Sequence, residues 1–348
     1  MKTLVTGGAG FIGSHLIDAL RADDVEVACI DSLDPGVHHR APDYLRSDVD
    51  YCFTDLRHWI PDTRFNDVEA VVHLAALGGV ARASREPANI LSANAGGTAR
   101  LVEAASHWPR LRRIVLVSSF SIYGANYRYC CSDCSNEQDA SRNANDLSAG
   151  RFEVLCKRCG AECHVMPVTE ATTPSPLETY GASKYMQELC FRGFSHCPFS
   201  IVRLSSVYGD RLRLDDGEAT IIAKLAGWIR DGITPQLFED GRQLRDWVYV
   251  ADVISTILAL LRHETPPPVV NVCSGVGTTL LEACARLAEL IDNECTPKVV
   301  GGFRAGDMRH CLGDPSVMRS ILGRDPIGFH EGAALAFQQS RLLCDVSA

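Results

Sequence analysis

The sequence has no long apolar run, no excess of basic residues and no recognisable export signal. A membrane-spanning helix needs about 18 or more consecutive apolar residues, and the chain of 348 residues contains no such run. Its 34 basic and 43 acidic residues give a formal net charge of −9, whereas nucleic-acid binding favours a basic surface. The first residues, MKTLVTGGAG, enter a strand without the basic and apolar regions of a signal peptide. We therefore expect a cytoplasmic protein that binds neither membranes nor nucleic acids.

Strand-like and helix-like segments alternate through the first half of the chain. The segments KTLVTG, EVACID, AVVHLAA and RRIVLVSS are short apolar runs, whereas FIGSHLIDALRAD and NAGGTARLVEAASH have helical spacing. Strands that alternate with helices form parallel sheets through right-handed crossovers, with helices on both faces. The pattern therefore predicts an α/β fold built on a doubly wound parallel (Rossmann) sheet.

The alternation breaks between residues 126 and 168, where the chain is polar and rich in cysteine. A long segment without apolar periodicity is typical of an insertion rather than of a core element. The helical segment TYGASKYMQELCFRGF and the strand FSIVRLSSVYG then resume the pattern. We expect a Rossmann domain over residues 1–200 that carries the insert, and a smaller C-terminal domain over residues 201–348 with some segments returning to the sheet.

Three glycines lie between the first strand and the first helix, in the pattern G-x-x-G-x-x-G. Gly7, Gly10 and Gly13 permit a tight turn that brings backbone N–H groups close to a pyrophosphate at the helix N-terminus. Asp31 ends the second strand, 18 residues after Gly13, where a carboxylate accepts a bond from a ribose 2′-hydroxyl and repels a 2′-phosphate. The pattern predicts NAD rather than NADP. Asp55 is a candidate contact for the adenine, and a turn role is the alternative for both aspartates.

Tyr180 and Lys184 are four residues apart in a predicted helix, so their side chains lie on one face. A lysine ammonium near a phenol favours the phenolate and is expected to lower the phenol pKa from about 10. The phenolate can then take a proton from a sugar hydroxyl while hydride leaves the carbon. Ser119, at the end of the RRIVLVSS strand, is expected to hydrogen-bond the same oxygen. These three residues form the predicted catalytic set.

Motifs along nearly the whole chain resemble the extended short-chain dehydrogenases/reductases that act on nucleotide sugars. They are TGGAGFIG (6–13), HLAA (73–76), NAGGT (94–98), SSFSIYG (118–124), YGASK (180–184), RLSSVYG (203–209), RDWVYVADV (245–253) and FRAGD (303–307). The resemblance implies an NAD site made by Gly7, Gly10, Phe11, Ile12, Gly13, Asp31, Asp55, Leu56, Leu74, Ala75, Ala76, Asn94, Ser118, Tyr180 and Lys184. It also implies substrate contacts from Ser121, Ser206, Arg245, Arg304 and Asp307. Arginine suits a diphosphate because its planar fork donates two parallel hydrogen bonds.

The stretch SSFSIYG separates the reactions that such enzymes perform. Sugar 4,6-dehydratases of the family carry an Asp-Glu pair just before Val-Tyr-Gly, and this chain has Phe120 and Ser121 there, which cannot exchange protons at neutral pH. Epimerisation at C4 needs only hydride removal and return, so a nucleotide-sugar 4-epimerase is the favoured function. The alternatives are a dehydrogenase that releases NADH, a decarboxylase that also begins with C4 oxidation, and a non-catalytic NAD-sensing or zinc-mediated binding protein.

Six of the fifteen cysteines fall between residues 130 and 163, whereas the other nine are scattered and are interpreted as small buried apolar residues. Two C-x-x-C pairs, 21 residues apart (156 − 134 − 1), are formed by Cys131, Cys134, Cys156 and Cys159. Four thiolates complete the tetrahedral shell of a structural zinc ion and leave no open position for catalysis. Zinc binding would fold an insert that has no core of its own, as in a zinc ribbon. Cys130, Cys163 and His164 are alternative ligands, and a reactive-thiol role is the alternative function.

A subgroup of the family, similar to dTDP-L-rhamnose 4-epimerases, carries a cysteine-bearing insert at the same place, with histidine where this chain has Cys134. Family resemblance also implies a homodimer. Ser206 stands where many relatives have asparagine, which favours an unusual sugar in the substrate. The alanine- and arginine-rich composition resembles that of actinobacterial proteins. We expect a role in an antibiotic- or cell-surface-sugar pathway, with a GDP-sugar or an octose as the candidate substrate.

Overall fold

The computed structural model describes residues 1–38, 40–194, 196–214, 220–291, 293, 295–303 and 308–337. The strands are β1 (Lys2–Thr6), β2 (Glu26–Asp31), β3 (Asp50–Phe53), β4 (Ala70–His73), β5 (Arg113–Ser119), β6 (Arg128–Cys131), β7 (Glu137–Asp139), β8 (Cys163–Val165), β9 (Phe199–Leu204), β10 (Ser206–Tyr208), β11 (Gln236–Leu237), β12 (Leu244–Tyr249), β13 (Val269–Val272), β14 (Gly277–Thr279) and β15 (Lys298–Val299). The helices are α1 (Phe11–Ala22), α2 (Val80–Arg85), α3 (Pro87–Leu91), α4 (Gly97–Ala105), α5 (Ala144–Ser148), α6 (Thr179–Arg192), α7 (Ile221–Arg230), α8 (Val250–Arg262), α9 (Leu280–Ile291), α10 (Ser316–Leu322) and α11 (Phe329–Phe337). None of the described helices is long and apolar enough to cross a membrane.

Seven strands form the central sheet, in the order β3-β2-β1-β4-β5-β9-β13. β1 pairs in parallel with β2 and β4, and parallel pairing continues to β3 on one side and to β5 and β9 on the other. The strand order reverses between β1 and β4, which is the topological switch point of a doubly wound sheet. Ligands of such sheets bind outside the carboxyl ends of the strands at this point. The predicted Rossmann sheet is confirmed.

The middle of the sheet is buried on both faces, which explains why its strands are continuous apolar runs instead of alternating patterns. β5 has five consecutive buried residues within RIVLVSS. Trp59, Phe65 and Trp108 pack together with ring centroids 5.2–6.3 Å apart. They belong to one buried cluster with Ile114 and Leu116 of β5. Burial of these large apolar side chains, at roughly 1.5–3 kcal/mol each, holds the sheet on which the site is built.

The chain forms two compact units. The first consists of residues 1–122, 178–204 and 250–270, and the second of the described residues within 123–177, 205–249 and 271–348. The sequence placed the insert inside a first domain that ends at residue 200, whereas the contacts of residues 123–177 group the insert with the second unit. That the first unit holds the cofactor and the second holds the substrate stays a prediction.

The cysteine-rich insert is a small sheet of its own. β6 pairs in antiparallel fashion with β7 and with β8, so that β6 is the central strand. None of these three strands joins the central sheet. Leu147, Phe152, Val154 and Val165 are buried here, which is a small apolar core for a segment of this length. Cross-linking through a bound metal is the usual remedy for so small a core.

Two predicted elements differ from the structure. NAGGTARLVEAASH begins with a π-helical turn over Ser92–Gly96 before α4, a feature that is frequent near functional sites. The prediction of FSIVRLSSVYG as one strand is wrong in its second half. β9 ends at Leu204, and β10 pairs with β12 in a different sheet. Ser205 lies at the break, where its N–H donates to the carbonyl of Val272 at 3.0 Å.

Gly13→Ala tests the close approach of α1 to the turn after β1. A methyl group at residue 13 would lie 2.2 Å from the carbonyl oxygen of Gly7, so the helix must shift. We expect a loss of about 1–3 kcal/mol in the free energy of unfolding and a loss of NAD from the purified protein. Chemical denaturation and the NAD content measure both effects. Gly96→Ala is the control, because a methyl group there meets nothing within 4 Å. Equal losses of stability and of NAD in the two variants would contradict the close approach of α1 to the turn as the cause.

Candidate active site and metal centre

The glycine-rich turn after β1 is shaped for close approach of a ligand. Gly7 has φ +72°, and a side chain there would lie 2.8 Å from the backbone nitrogen of Ala75. Gly10 is the N-cap of α1 and gives the helix no side-chain cap, so the first-turn N–H groups are open to an anion. Phe11 and Ile12 form that first turn and are half-buried. The uncapped N–H groups of α1 and the close packing around Gly7 suit this turn to a pyrophosphate.

Asp31 is buried at the end of β2, and its carboxylate already accepts two backbone hydrogen bonds. Oδ2 accepts from the N–H of Ala9 at 2.9 Å, and Oδ1 accepts from the N–H of Leu33 at 2.8 Å. The predicted turn role is therefore present, and the remaining lone pairs leave room for ribose hydroxyls. Asp55 is paired with Arg57, whose Nη2 lies 2.6 Å from Oδ2. This ion pair lowers the pKa of Asp55; its contact with adenine stays a prediction, as does that of its buried neighbour Leu56.

The loop after β4 (Leu74–Leu77) is tied to the catalytic helix by Asn94. The Asn94 Oδ1 accepts from the N–H of Leu77 at 2.7 Å, and its Nδ2 donates to the Leu77 carbonyl at 3.0 Å and to Ser183 Oγ at 2.9 Å. Ala75 lies against Gly7. The loop, which includes Leu74 and Ala76, therefore borders the switch point of the sheet. These bonds hold the loop beside α6, and the predicted contact of Asn94 with NAD stays a prediction.

Tyr180 and Lys184 lie on α6, which begins with a side-chain cap. The carboxylate of Glu178 accepts from the N–H groups of Tyr180 and Gly181, both at 2.6 Å. Gly181 allows the helix to pack on residue 121, because a Cβ there would lie 2.6 Å from the Ser121 carbonyl oxygen. The Lys184 Nζ donates to the carbonyl of Val117 in β5 at 2.7 Å. The predicted tyrosine and lysine are thus brought to the carboxyl end of β5.

Two serines complete the predicted set beside Tyr180. Burial raises the phenol pKa of Tyr180, and Ser119, the last residue of β5, acts against this rise. The N–H and Oγ of Ser121 approach Ser119 Oγ at 3.2 and 3.1 Å. Ser118 Oγ is buried and has no hydrogen-bond partner among the described residues. An unpartnered hydroxyl at this strand end fits a cofactor that would supply the missing bond.

Burial dominates the titration of both catalytic groups. It raises the pKa of Tyr180 to about 12; the Glu178 carboxylate acts in the same direction, and the bond with Ser119 acts against both. Burial lowers the pKa of Lys184 to about 7, against the attraction of Glu188. The expected lowering of the phenol pKa is therefore not found, because desolvation outweighs any nearby positive charge. Bound NAD would bring a further positive charge to this place.

Sequence reasoning missed two carboxylates around the catalytic helix. Glu178 occupies the N-cap, a place where an acidic residue is a usual signal. Glu188 lies one turn after Lys184 and is fully buried, with its Oε2 2.9 Å from the Nη2 of Arg203 in β9. The i, i+4 spacing from Lys184 was a readable signal for it.

The predicted substrate residues lie partly outside the described residues. Arg304 and Asp307 fall within the undescribed segment 304–307. Arg245 is in β12, and its Nη1 donates to the carbonyls of Leu244 and Arg309 at 2.8 and 3.0 Å. Ser206 begins β10, where it is half-buried and opposite Trp247.

The four predicted metal ligands come together at the two turns of the insert. The sulfur atoms of the set all lie within 4.8 Å of one another, and they belong to Cys131, Cys134, Cys156 and Cys159. Individual S···S separations are 3.4–3.6 Å. The residue after each pair adopts positive φ, +53° at Ser135 and +78° at Gly160, which turns both loops back toward the cluster. Cys163 lies beside the cluster, and burial raises its thiol pKa to about 11.

The family of the chain follows from its match to known proteins. Residues 3–273 match the model of the NAD dependent epimerase/dehydratase family. The chain belongs to this family. It is 31% identical, over 93% of its own length and 90% of the relative, to a dTDP-L-rhamnose 4-epimerase of Burkholderia thailandensis.

Solved structures of other epimerases share the fold of this family member. A UDP-glucose 4-epimerase of Thermotoga maritima with UDP-glucose has 26% identity and a TM-score of 0.76, covering 99% of this chain and 100% of that one. A UDP-glucose 4-epimerase of Thermus thermophilus with NAD has 26% identity and a TM-score of 0.75, covering 98% and 99%.

In this epimerase/dehydratase family member, two substitutions are expected to move the titration of Tyr180 in opposite directions. Glu178→Gln removes a negative charge that raises the phenol pKa, so the acid limb of kcat/KM moves to lower pH. Ser119→Ala removes a bond that lowers this pKa, so the limb moves to higher pH. Each shift should reach up to about one pH unit. Ser119→Ala should also lower kcat about 100-fold.

The measurement is the pH profile of kcat/KM for each variant. The control is Glu26→Gln, which removes an exposed carboxylate paired with Lys2. Shifts of the same sign in the two site variants, or a comparable shift in the control, would show that Tyr180 is not the titrating base.

Proposed function

We propose that the protein is an NAD-dependent epimerase that inverts C4 of a nucleotide-diphosphate sugar through a transient 4-keto intermediate. The observation that carries the proposal is the convergence of Ser119, Tyr180 and Lys184 at the carboxyl end of β5. The two positions that hold acid and base in dehydratases are buried Phe120 and Ser121, whose hydroxyl bonds Ser119. Water loss therefore has no carboxylate to assist it there.

The proton chemistry falls to Tyr180. It takes the proton of the C4 hydroxyl as phenolate and returns a proton to the C4 oxygen after inversion. Ser119 would hold that oxygen, and Lys184, on the same helix face, would stabilise the phenolate when its charge and that of bound NAD offset the burial that raises the phenol pKa. NAD, held by the glycine-rich turn and Asp31, would supply the hydride acceptor at C4 and the hydride for return to the opposite face. Arg245 has guanidinium N–H groups without a partner among the described residues, and they are suited to the sugar diphosphate.

We propose that the sugar is an unusual one, carried as a dTDP- or GDP-sugar in an antibiotic- or cell-surface-sugar pathway. The similarity to a dTDP-L-rhamnose 4-epimerase supports a nucleotide sugar of this class. Ser206, smaller than the asparagine of many relatives, supports a wider sugar pocket. A GDP-octose is the largest sugar considered, and a panel of substrates distinguishes it from smaller dTDP- and GDP-sugars.

We propose that the insert binds one structural zinc ion through four cysteine thiolates. Sulfurs at about 2.3 Å from a central zinc are about 3.8 Å apart. Three of the S···S separations in the cluster are 3.4–3.6 Å, and all four sulfurs lie within 4.8 Å of one another. Four thiolates close the shell, so the ion would have no open position for substrate. We also propose a cytoplasmic homodimer, as family resemblance implies, and light scattering of the purified protein tests its mass.

Cofactor retention tests the proposed reaction. Denaturing the purified protein and assaying the supernatant should release about one NAD per chain, because an epimerase regenerates its NAD within each cycle. A panel of UDP-, dTDP- and GDP-sugars should then give C4-inverted product without added NAD. Protein free of NAD that reduces added NAD on mixing with a sugar nucleotide would instead be a dehydrogenase.

Cys156→Ser tests the zinc centre. We expect zinc to fall from about one per chain to nearly none, with a lower soluble yield because the insert loses its cross-link. The soluble remainder should keep bound NAD. Metal analysis and yield are measured beside Cys130→Ser, which changes a neighbouring cysteine outside the cluster. A soluble Cys156→Ser protein with a full complement of zinc would contradict the assignment.

A further inference from the structure

Arg309 is buried among three carboxylates in the second unit. Its side chain has no exposed surface. Nη1 lies 2.7 Å from both Glu239 Oε2 and Asp240 Oδ1, Nη2 lies 2.9 Å from Asp240 Oδ2, and Nη2 also donates to Glu153 Oε1. A buried charge needs hydrogen-bond partners, and both Nη atoms of Arg309 have them, whereas its Nε has none among the described residues. The network is therefore a fixed junction of three chain segments.

His310 extends the junction to β12. Its Nδ1 accepts from the N–H of Leu244 at 3.0 Å, so the proton of the neutral ring lies on Nε2. Nε2 then donates to Glu153 Oε2 at 2.9 Å. Burial opposes ionisation of Glu153, but hydrogen bonds from His310 and Arg309 lower its pKa to about 2. Glu153 is thus an anion that holds two consecutive residues, 309 and 310, at once.

Two of the residues in the junction belong to the cysteine insert. Glu153 lies three residues before Cys156 of the metal cluster. Arg142 of the insert donates to Glu239 Oε1 at 2.8 Å and to the carbonyl of Phe152 at 3.1 Å. The insert consequently contacts residues 239–240 and 309–310 through buried ionic bonds, and the buried ring of Tyr129 packs against His310 beside them.

Arg245 is oriented by the same segments. Its Nη1 donates to the carbonyls of Leu244 and Arg309. Leu244 also bonds His310 through its N–H, and Arg309 bonds Glu153 through its guanidinium. A displacement of residues 309–310 would move one of the two acceptors that hold the guanidinium. The other N–H groups of Arg245 have no partner among the described residues.

We propose that the insert supports substrate binding by holding Arg245 in place. In this proposal Glu153 is a positioning residue that orients Arg245 toward the diphosphate of the substrate. The inference rests on the proposed function, because Arg245 meets a diphosphate only if the substrate is a nucleotide sugar. Glu153 touches neither substrate nor cofactor in this account. Its effect passes through His310 and Arg309 to Arg245.

A double-mutant cycle separates positioning from general stabilisation. UDP, dTDP and GDP are titrated calorimetrically into the NAD-loaded protein, and the tightest binder is kept as the probe. Glu153→Ala should weaken its binding about tenfold, and Arg245→Ala more. In the Arg245→Ala background, Glu153→Ala should have almost no further effect, because its only route is through Arg245. Bound NAD should stay unchanged in every variant.

Two further variants keep the test decisive. Glu153→Gln retains the size of the side chain and one acceptor, so it should fold and weaken binding about threefold. Glu137→Ala, at an exposed glutamate of the same insert, is the matched control and should bind as the parent does. Unchanged nucleotide affinity in both Glu153 variants would overturn the proposal that Glu153 orients Arg245. Additive losses of affinity from the Glu153 and Arg245 substitutions would also overturn it. Failure of the parent protein to bind any of the three nucleotides would instead overturn the proposed function.

Discussion

The candidate site depends on a lysine that is buried and must nevertheless be able to carry its charge. Lys184 is buried at the carboxyl end of β5, where its ammonium donates to the carbonyl of Val117. Glu188 lies one helical turn away and is itself neutralised by Arg203 of β9. Burial alone would discharge the lysine, and Glu188 opposes this. Helix α6 and strands β5 and β9 are thereby fixed around one ionic group.

The same compromise governs Tyr180. A fully buried phenol is a poor base, since desolvation raises its pKa. Ser119 opposes the rise in the phenol pKa. Glu178 caps the start of α6, but its negative charge raises the phenol pKa further. Functional sites commonly combine such conflicting demands, and stability is given up there for chemistry. The cofactor, with its positive ring, would complete the balance.

The sequence predicted the sheet well because parallel strands buried on both faces are unmistakable apolar runs, as in RIVLVSS. It predicted the cysteine cluster because two C-x-x-C pairs constrain geometry by spacing alone. It did not predict the break at Ser205, since the bond to Val272 that diverts the chain joins residues 67 positions apart (272 − 205). Nor did it predict the Arg309 junction, whose members come from three distant segments and carry no local pattern.

Hydride return is the central claim, and isotope labelling tests it most directly. A nucleotide sugar that the enzyme accepts is prepared with deuterium at C4 and incubated with the NAD-loaded protein. The account predicts that the C4-inverted product keeps its deuterium at C4, because the label leaves for bound NAD and comes back within one cycle. Deuterium found in free NADH, or replaced by solvent hydrogen at C4, would contradict it.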